Sequence, residues 1–328
     1  MKTKKILVLI VAIVMIVAMV SVLAACGNNE SGSDKTLRVA LPDGTPLLAM
    51  ASLMANKEKV GGYKLDFNVV PSNLIGSEIT GEKADIAVMP TNAIVGLYKK
   101  GADYKIVTSN IFGVLYLIGN SDDAFTLDKL KGKVIYSIGE KNTPQLVFEK
   151  ILKEKLGDDI VVNSDKAVSG KVAMYYVTDG QQVIAALKQG KANYGIVGEP
   201  AATNAKGKGL SVLYDLQKGW GEVTGGEESY PQASLAIKAS LATNKKFVKA
   251  LVEALNKNLN YLSEEKNKAG LTKLFKGYGS SVTFPAASVE KSNVGVKWAI
   301  DIKSEIESYL SVFGIKAPNS DFYFDYNN

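Results

Sequence analysis

The sequence of 328 residues contains no histidine, one cysteine and one arginine. Without histidine the chain lacks the usual general base near neutral pH and the commonest zinc ligand. With Cys26 alone there can be no internal disulfide, and once that thiol is modified there is no cysteine nucleophile or thiolate metal site. Most hydrolytic constellations fail on these counts. A serine with a lysine, or paired carboxylates, remain in principle, but no motif brings such groups together. No cofactor is expected. A bidentate guanidinium grip on a sulfonate or phosphate has only Arg38 to draw on.

Charge is equally uninformative about polymeric partners. Basic residues number 39 against 33 acidic, a balance of +6. All but Arg38 are lysines scattered along the chain, with no dense basic stripe interleaved with aromatics, so nucleic acid is not a partner. Scattered lysines describe a solvated surface with some attraction to anionic lipid headgroups.

What is present begins at the N-terminus. Met1-Lys2-Thr3-Lys4-Lys5 precedes an uncharged run, 6–25, that ends in Leu23-Ala24-Ala25-Cys26. A positive start, an apolar segment and small residues before a cleavage point are the parts of a signal peptide, here residues 1–25. The Ala-Ala-Cys ending resembles the bacterial lipobox, which implies that Cys26 becomes the acylated first residue and ties the protein to a membrane. The alternative is an uncleaved anchor, since about 20 apolar residues suffice to span a bilayer. Loss of Lys2, Lys4 and Lys5 leaves 36 basic residues against 33 acidic, or +3. Residues 26–35 carry no apolar residue beyond Cys26 and read as a flexible tether with a reach of about 15–18 Å.

From Thr36 onward, short apolar runs alternate with helix-period segments. Strands are expected at 37–41, 64–70 and 86–89, with helices at 47–56, 74–80 and 93–99. A second set follows, with strands at 134–138, 173–177 and 194–197 and helices at 145–156, 181–189 and 200–205. In 145–156, Val147 with Ile151 and Phe148 with Leu152 fall four apart on one face. This alternation predicts βαβ units around mostly parallel sheets. The pattern restarts once, and roughly 290 residues is near the size at which one core divides. The β-rich stretch 106–119 and the short run 234–237 are expected to be the crossings. Lobe 1 is then 36–117 with 235–328, and lobe 2 is 118–234. The C-terminal third is expected to be helical, at 247–262 and again at 294–313, packing back on lobe 1.

Ligands of open parallel sheets bind beyond the carboxyl ends of strands, where the following helices point their N-termini. Four such junctions stand out: Pro42-Asp43-Gly44-Thr45-Pro46, Pro90-Thr91-Asn92, Asn142-Thr143-Pro144 and Gly198-Glu199-Pro200. Thr45-Pro46 and Thr143-Pro144 repeat one arrangement, a capping hydroxyl followed by a proline suited to the first turn. Free backbone N–H groups with the side chains of Thr45, Thr91, Asn92 and Thr143 would grip polar ligand groups. Each junction taken alone is equally a plain helix cap.

Several phrases carry a family resemblance. Leu130-Lys131-Gly132-Lys133-Val134, the run from Gly180 through Ala185-Ala186-Leu187-Lys188 to Lys191, Gly198-Glu199-Pro200-Ala201 and Asp85-Ile86-Ala87-Val88-Met89-Pro90-Thr91 resemble the solute-binding proteins of nitrate, sulfonate, taurine and thiamine-precursor ABC importers. The resemblance implies an α/β, type II periplasmic-binding-protein fold, two βαβ lobes joined by a two- or three-strand hinge. It implies a monomer that closes on a small-molecule solute and delivers it to an ABC permease with a cytoplasmic ATPase, outside the cell membrane. Its ligand loops would map to Asp43–Pro46, Pro90–Asn92, Asn142–Pro144 and Glu199. Asn193 departs from the aspartate usual at that place. A ligand-sensing lipoprotein that signals through a membrane partner is the alternative; an enzyme is not expected.

Asp43 and Glu199 would repel an anion and accept hydrogen bonds from a ligand nitrogen, which favours a neutral or cationic heterocycle. Trp220, inside the glycine-rich stretch 219–226, and Tyr230, just beyond it, are either ring-stacking ligand contacts or packing residues under a loop.

Overall fold

The computed structural model describes residues 35–327. The signal peptide, Cys26 and the tether as far as Asp34 lie outside the described residues. Within them, the chain starts one sheet with β1 (Thr36–Pro42), β2 (Lys64–Val70), β3 (Ile86–Pro90) and β4 (Tyr104–Phe112). It then builds a second from β5 (Leu115–Gly119), β6 (Lys133–Ser137), β7 (Val161–Asn163), β8 (Val172–Tyr176), β9 (Tyr194–Gly198) and β10 (Ser211–Asp215). It returns to the first with β11 (Pro231–Lys238) and β12 (Val294–Trp298).

The orders are β12-β4-β11-β3-β1-β2 and β10-β5-β9-β6-β8-β7. Both follow one scheme. β1 lies parallel between β2 and β3, as β6 lies parallel between β8 and β9. The strand arriving from the other lobe then inserts antiparallel beside the last parallel one: β11 on β3, and β5 on β9. Helices cover both faces, which is why the central strands read as continuous apolar runs; Ile86, Ala87, Val88 and Met89 are all buried.

The chain crosses between lobes at Gly113–Val114 and again within 225–230. β5 therefore belongs wholly to the second sheet and β11 wholly to the first, a few residues from where the apolar pattern suggested. Gly113 suits its crossing because it adopts a left-handed φ of 66° and an added Cβ would lie 2.9 Å from Gln217 Cγ.

Two segments differ from expectation. Residues 294–313 are not one helix: β12 is followed by a turn and the helix Lys303–Val312. Val294, Val296 and Trp298 have a period of two, the strand period, and Gly295 lets the strand lie against Phe112. The segment 47–56 is split into a 3₁₀ turn, Thr45–Met50, and the helix Ala51–Asn56. Buried Asn258, on the helix Lys245–Ser263, fixes the break by donating to the carbonyls of Leu48 and Ala49 and accepting from Ser52 N–H. The rest of that helix's inner face, Phe247, Leu251 and Leu255 among it, packs with Leu47, Leu48 and Met54 in the first lobe's core.

Asn193, the odd residue of its motif, accepts from Val134 N–H at 3.1 Å through its side-chain oxygen, so it ties the approach to β9 onto β6. The sole arginine is committed as well. Arg38 makes two side-chain bonds to Asp85, at 2.9 and 3.1 Å, and Lys238 reaches the same carboxylate at 3.0 Å. Burial alone would raise the Asp85 pKa, but the hydrogen bonds from Arg38 and Lys238 outweigh it and hold the carboxyl well below the usual range.

A carboxyl depressed in the folded state contributes stability above its unfolded pKa, about 4, and loses that contribution as the pH falls below it. Asp85→Asn should therefore lower stability at pH 7 by about 1–3 kcal/mol, and part of the parent's acid sensitivity below pH 4 should disappear with it. Urea melts of both proteins at pH 7 and pH 3 test this; parallel losses of stability at the two pH values would contradict it.

Candidate functional site

A cavity of about 360 Å³ lies between the two sheets, at the carboxyl ends of their parallel strands. Pro42 to Pro46 follow β1, Ser72 and Asn73 follow β2, and Pro90 closes β3. From the opposite side come Gly139, Glu140 and Asn142 to Pro144 after β6, Tyr176 to Gln181 around the end of β8, and Gly198 to Ala201 after β9. Ile111, Leu115, Gln232 and Ala233, in strands beside the two crossings, floor it, and Val282 adds an apolar wall from the first lobe.

Of the residues singled out in the sequence, Asp43, Gly44, Thr45, Pro46, Pro90, Asn142, Thr143, Pro144 and Glu199 line this cavity. The two Thr-Pro pairs do so in an unexpected way, because neither hydroxyl caps its own helix. The cap positions belong to Gly44, with φ 120° and no side chain to cap with, and to Asn142, whose side chain makes no capping hydrogen bond. One residue further on, the hydroxyls are free to reach outward. Thr45 Oγ1 donates to the Glu199 carbonyl across the cavity, and Thr143 Oγ1 shares a 2.8 Å bond with the Tyr309 hydroxyl. The first turn of the helix Thr143–Leu156 consequently has no side-chain cap. Gly139 permits this loop its close fold: its φ is +72°, and a Cβ there would lie 2.6 Å from Pro144 Cγ.

Thr91 and Asn92 support the walls without forming them. Buried Thr91 shares a 2.8 Å hydrogen bond with Ser234, which shares another with Ser109. Asn92 Nδ2 donates to the Lys141 carbonyl at 3.2 Å, from the first lobe to the second. Trp220 and Tyr230 are packing residues. Trp220 lies on the helix Leu216–Thr224, not in a loop, because Asp215 caps that helix and Gly219 permits close approach to Tyr214. Its ring is 5.2 Å from Tyr230, 5.7 Å from Tyr309 and 5.5 Å from Phe313.

Both expected acidic contacts already have partners. Asp43 accepts from the Ser280 and Ser281 hydroxyls and from Ser281 N–H. Glu199, 5% exposed, accepts from Thr203 Oγ1 and Thr203 N–H at 3.0 and 3.1 Å. Burial raises the Glu199 pKa, with the Thr203 bonds pulling the other way. The sequence reading missed Ser72, Asn73, Glu140, Gln232 and the group around Thr178 and Asp179. For the last a signal existed: Asp179-Gly180 directly follows an expected strand, and Asp179 caps the next helix through Gln182 N–H at 2.9 Å.

No protein-family model matches the chain, and no curated protein does. Solved structures do match in shape. An ABC transporter protein from Parabacteroides distasonis, 19% identical, covers 89% of this chain and 99% of its own at a TM-score of 0.71. The periplasmic aliphatic sulphonate binding protein SsuA of Escherichia coli, 14% identical, covers 86% of each chain at 0.63. The Candida albicans CA3427 product, described as having the generic periplasmic binding protein fold, is 13% identical and covers 88% of this chain and 92% of its own at 0.56. The chain has the periplasmic-binding-protein fold.

In this binding-protein fold the lobes touch on both flanks of the cavity. On one side Thr45 meets Glu199 and Asn204 Nδ2 donates to the Thr283 carbonyl at 2.8 Å. On the other side Asn92 meets Lys141 and Thr143. Each such bond contributes about 0.5–1.5 kcal/mol. The double substitution Thr45→Val with Asn204→Ala should therefore favour separated lobes, and X-ray scattering should give a larger radius of gyration without ligand than the parent. An unchanged radius would show that these bonds do not hold the lobes together.

Proposed function

We propose that this chain is the extracytoplasmic solute-binding lipoprotein of an ABC importer. The observation that carries the reading is the convergence of six strand ends, three from each sheet, on one cavity between lobes that the backbone joins by two crossings. The moving parts are residues 36–113 with 231–328, and residues 114–230. Rotation about the crossings leaves each core packed while the cavity opens and closes. The solute binds in the open form, is enclosed by both walls, and is delivered to a permease that works with a cytoplasmic ATPase.

The ligand-facing set is Asp43 to Pro46, Pro90, Asn142 to Pro144 and Glu199, to which the cavity adds Asp179 and Gln232. The uncapped first turn of the helix Thr143–Leu156 offers backbone N–H groups to a ligand oxygen. Capture without chemical change fits a chain that lacks histidine and has no thiol besides Cys26. Attachment is assigned to the acylated Cys26, on the ending Leu23-Ala24-Ala25-Cys26; among the described residues no helix is long and apolar enough to cross a membrane. The structural resemblance to an ABC transporter protein and to a periplasmic aliphatic sulphonate binding protein supports the transport role.

Two measurements test the parts separately. A solute that binds should raise the melting temperature of the purified full chain; at 100 times its dissociation constant the gain is about 2.7 kcal/mol, or several degrees at this size. A protein unmoved by every small solute in a broad panel would count against capture. Cys26→Ser should shift the expressed protein from the membrane fraction to the soluble extracytoplasmic fraction. Retention in the membrane would favour an uncleaved anchor.

A further inference from the structure

We infer that the solute of this cavity is an organic cation, carrying a protonated or quaternary nitrogen, and not a sulfonate, phosphate or nitrate. The inference rests on the capture reading above and names the ligand class.

Four acidic residues, Asp43, Glu140, Asp179 and Glu199, line the cavity, and among the described residues no lysine or arginine does. Among the described residues their hydrogen bonds come from neutral donors: Ser280 and Ser281 for Asp43, Thr178 and Gln182 for Asp179, Thr203 for Glu199. Glu140 is exposed, its charge reaches the Tyr176 hydroxyl, and among the described residues it has no hydrogen bond or ion pair. Neutral donors satisfy lone pairs and leave the charge in place. Lys206 and Lys291 are close enough for Glu199 to feel them, but neither lines the wall. The one guanidinium in the chain is held by Asp85.

Helix ends supply the opposing field, since an uncapped N-terminus attracts negative charge. Two of them face the cavity with helices of useful length. The end at Gly180 is already occupied by Asp179, which accepts from Gln182 N–H. The end at Thr143 remains, and one partial positive charge does not offset the acidic residues of the wall. It suits a neutral oxygen on the same ligand. Tyr176 also lines the wall, its hydroxyl tied to Glu149 at 3.4 Å, and an aromatic ring beside carboxylates adds to cation binding. The carboxylates are distributed around the wall: among the described residues no group of three or more acidic, histidine or cysteine side chains is placed to hold a metal ion. That spread fits an extended organic cation with an apolar body facing Ile111, Leu115, Ile138 and Val282.

The test is calorimetry on the purified full chain with choline, putrescine, spermidine and 1-methylpyridinium, against methanesulfonate, MOPS and nitrate, with glucose and uracil as neutral probes. At least one cation should bind, and the anions should not. Glu140→Gln, at an exposed unpartnered position that folding does not need, should weaken that cation about 3- to 10-fold, and the loss should shrink in high salt. Binding of an anion or a neutral probe with no cation binding would overturn the inference and leave the capture reading standing, as would a Glu140→Gln protein with unchanged or tighter cation affinity. No binding by any probe would count against both.

Discussion

Each lobe of this protein is incomplete without a strand that the chain sends from the other. β5 enters from the first lobe to lie antiparallel on β9, and β11 enters from the second to lie antiparallel on β3. This exchange fixes where the crossings lie, and it brings the carboxyl ends of β1, β2 and β3 opposite those of β6, β8 and β9. The cavity follows from that opposition. Its floor is made of strand residues beside the crossings, Ile111, Leu115, Gln232 and Ala233, so the surface nearest a ligand adjoins the part of the backbone that any rotation of the lobes must bend.

The floor is correspondingly well supplied with hydrogen bonds. Gln217 accepts from Leu115 N–H and donates to the Leu115 carbonyl, Gln232 accepts from Val114 N–H, and Asn293 donates to the Gly113 carbonyl at 2.6 Å. Side-chain amides thus satisfy the backbone where the ladder of one sheet ends and that of the other begins. A side chain can follow its partner through a small rotation more readily than a ladder bond can. Behind the floor, Tyr309 and Phe313 of the helix Lys303–Val312 and its end pack on Trp220 of the second lobe, a side-chain seam added to the two backbone crossings.

Much of this architecture was legible in the residues. β2 spans the run that alternation marked, and β1, β3, β6, β8 and β9 fall within a residue or so of their apolar runs, because buried parallel strands carry an unbroken apolar signal. Junction chemistry located most of the cavity, since Gly, Thr-Pro and Glu-Pro follow those strands directly. What escaped had physical reasons. β12 hid behind a following helix, its period of two confined to the three residues Val294, Val296 and Trp298. The helix Leu216–Thr224 carries glycines that in isolation argue for a loop, and only the approach to Tyr214 accounts for Gly219. The roles of Thr45 and Thr143 were misassigned because capping is a local rule, whereas their actual partners, Glu199 and Tyr309, are 154 and 166 residues away.

The two tryptophans of the chain occupy unequal places. Trp298 stacks on Phe324 and lies near Tyr326, all within the first lobe, whereas Trp220 belongs to the second lobe and packs against rings of the C-terminal helix. Any relative displacement of the lobes alters the surroundings of one indole and leaves the other unchanged. The protein therefore carries its own optical pair, a reporter at the seam and an internal reference, and its native emission spectrum contains a signal of lobe position without an added label.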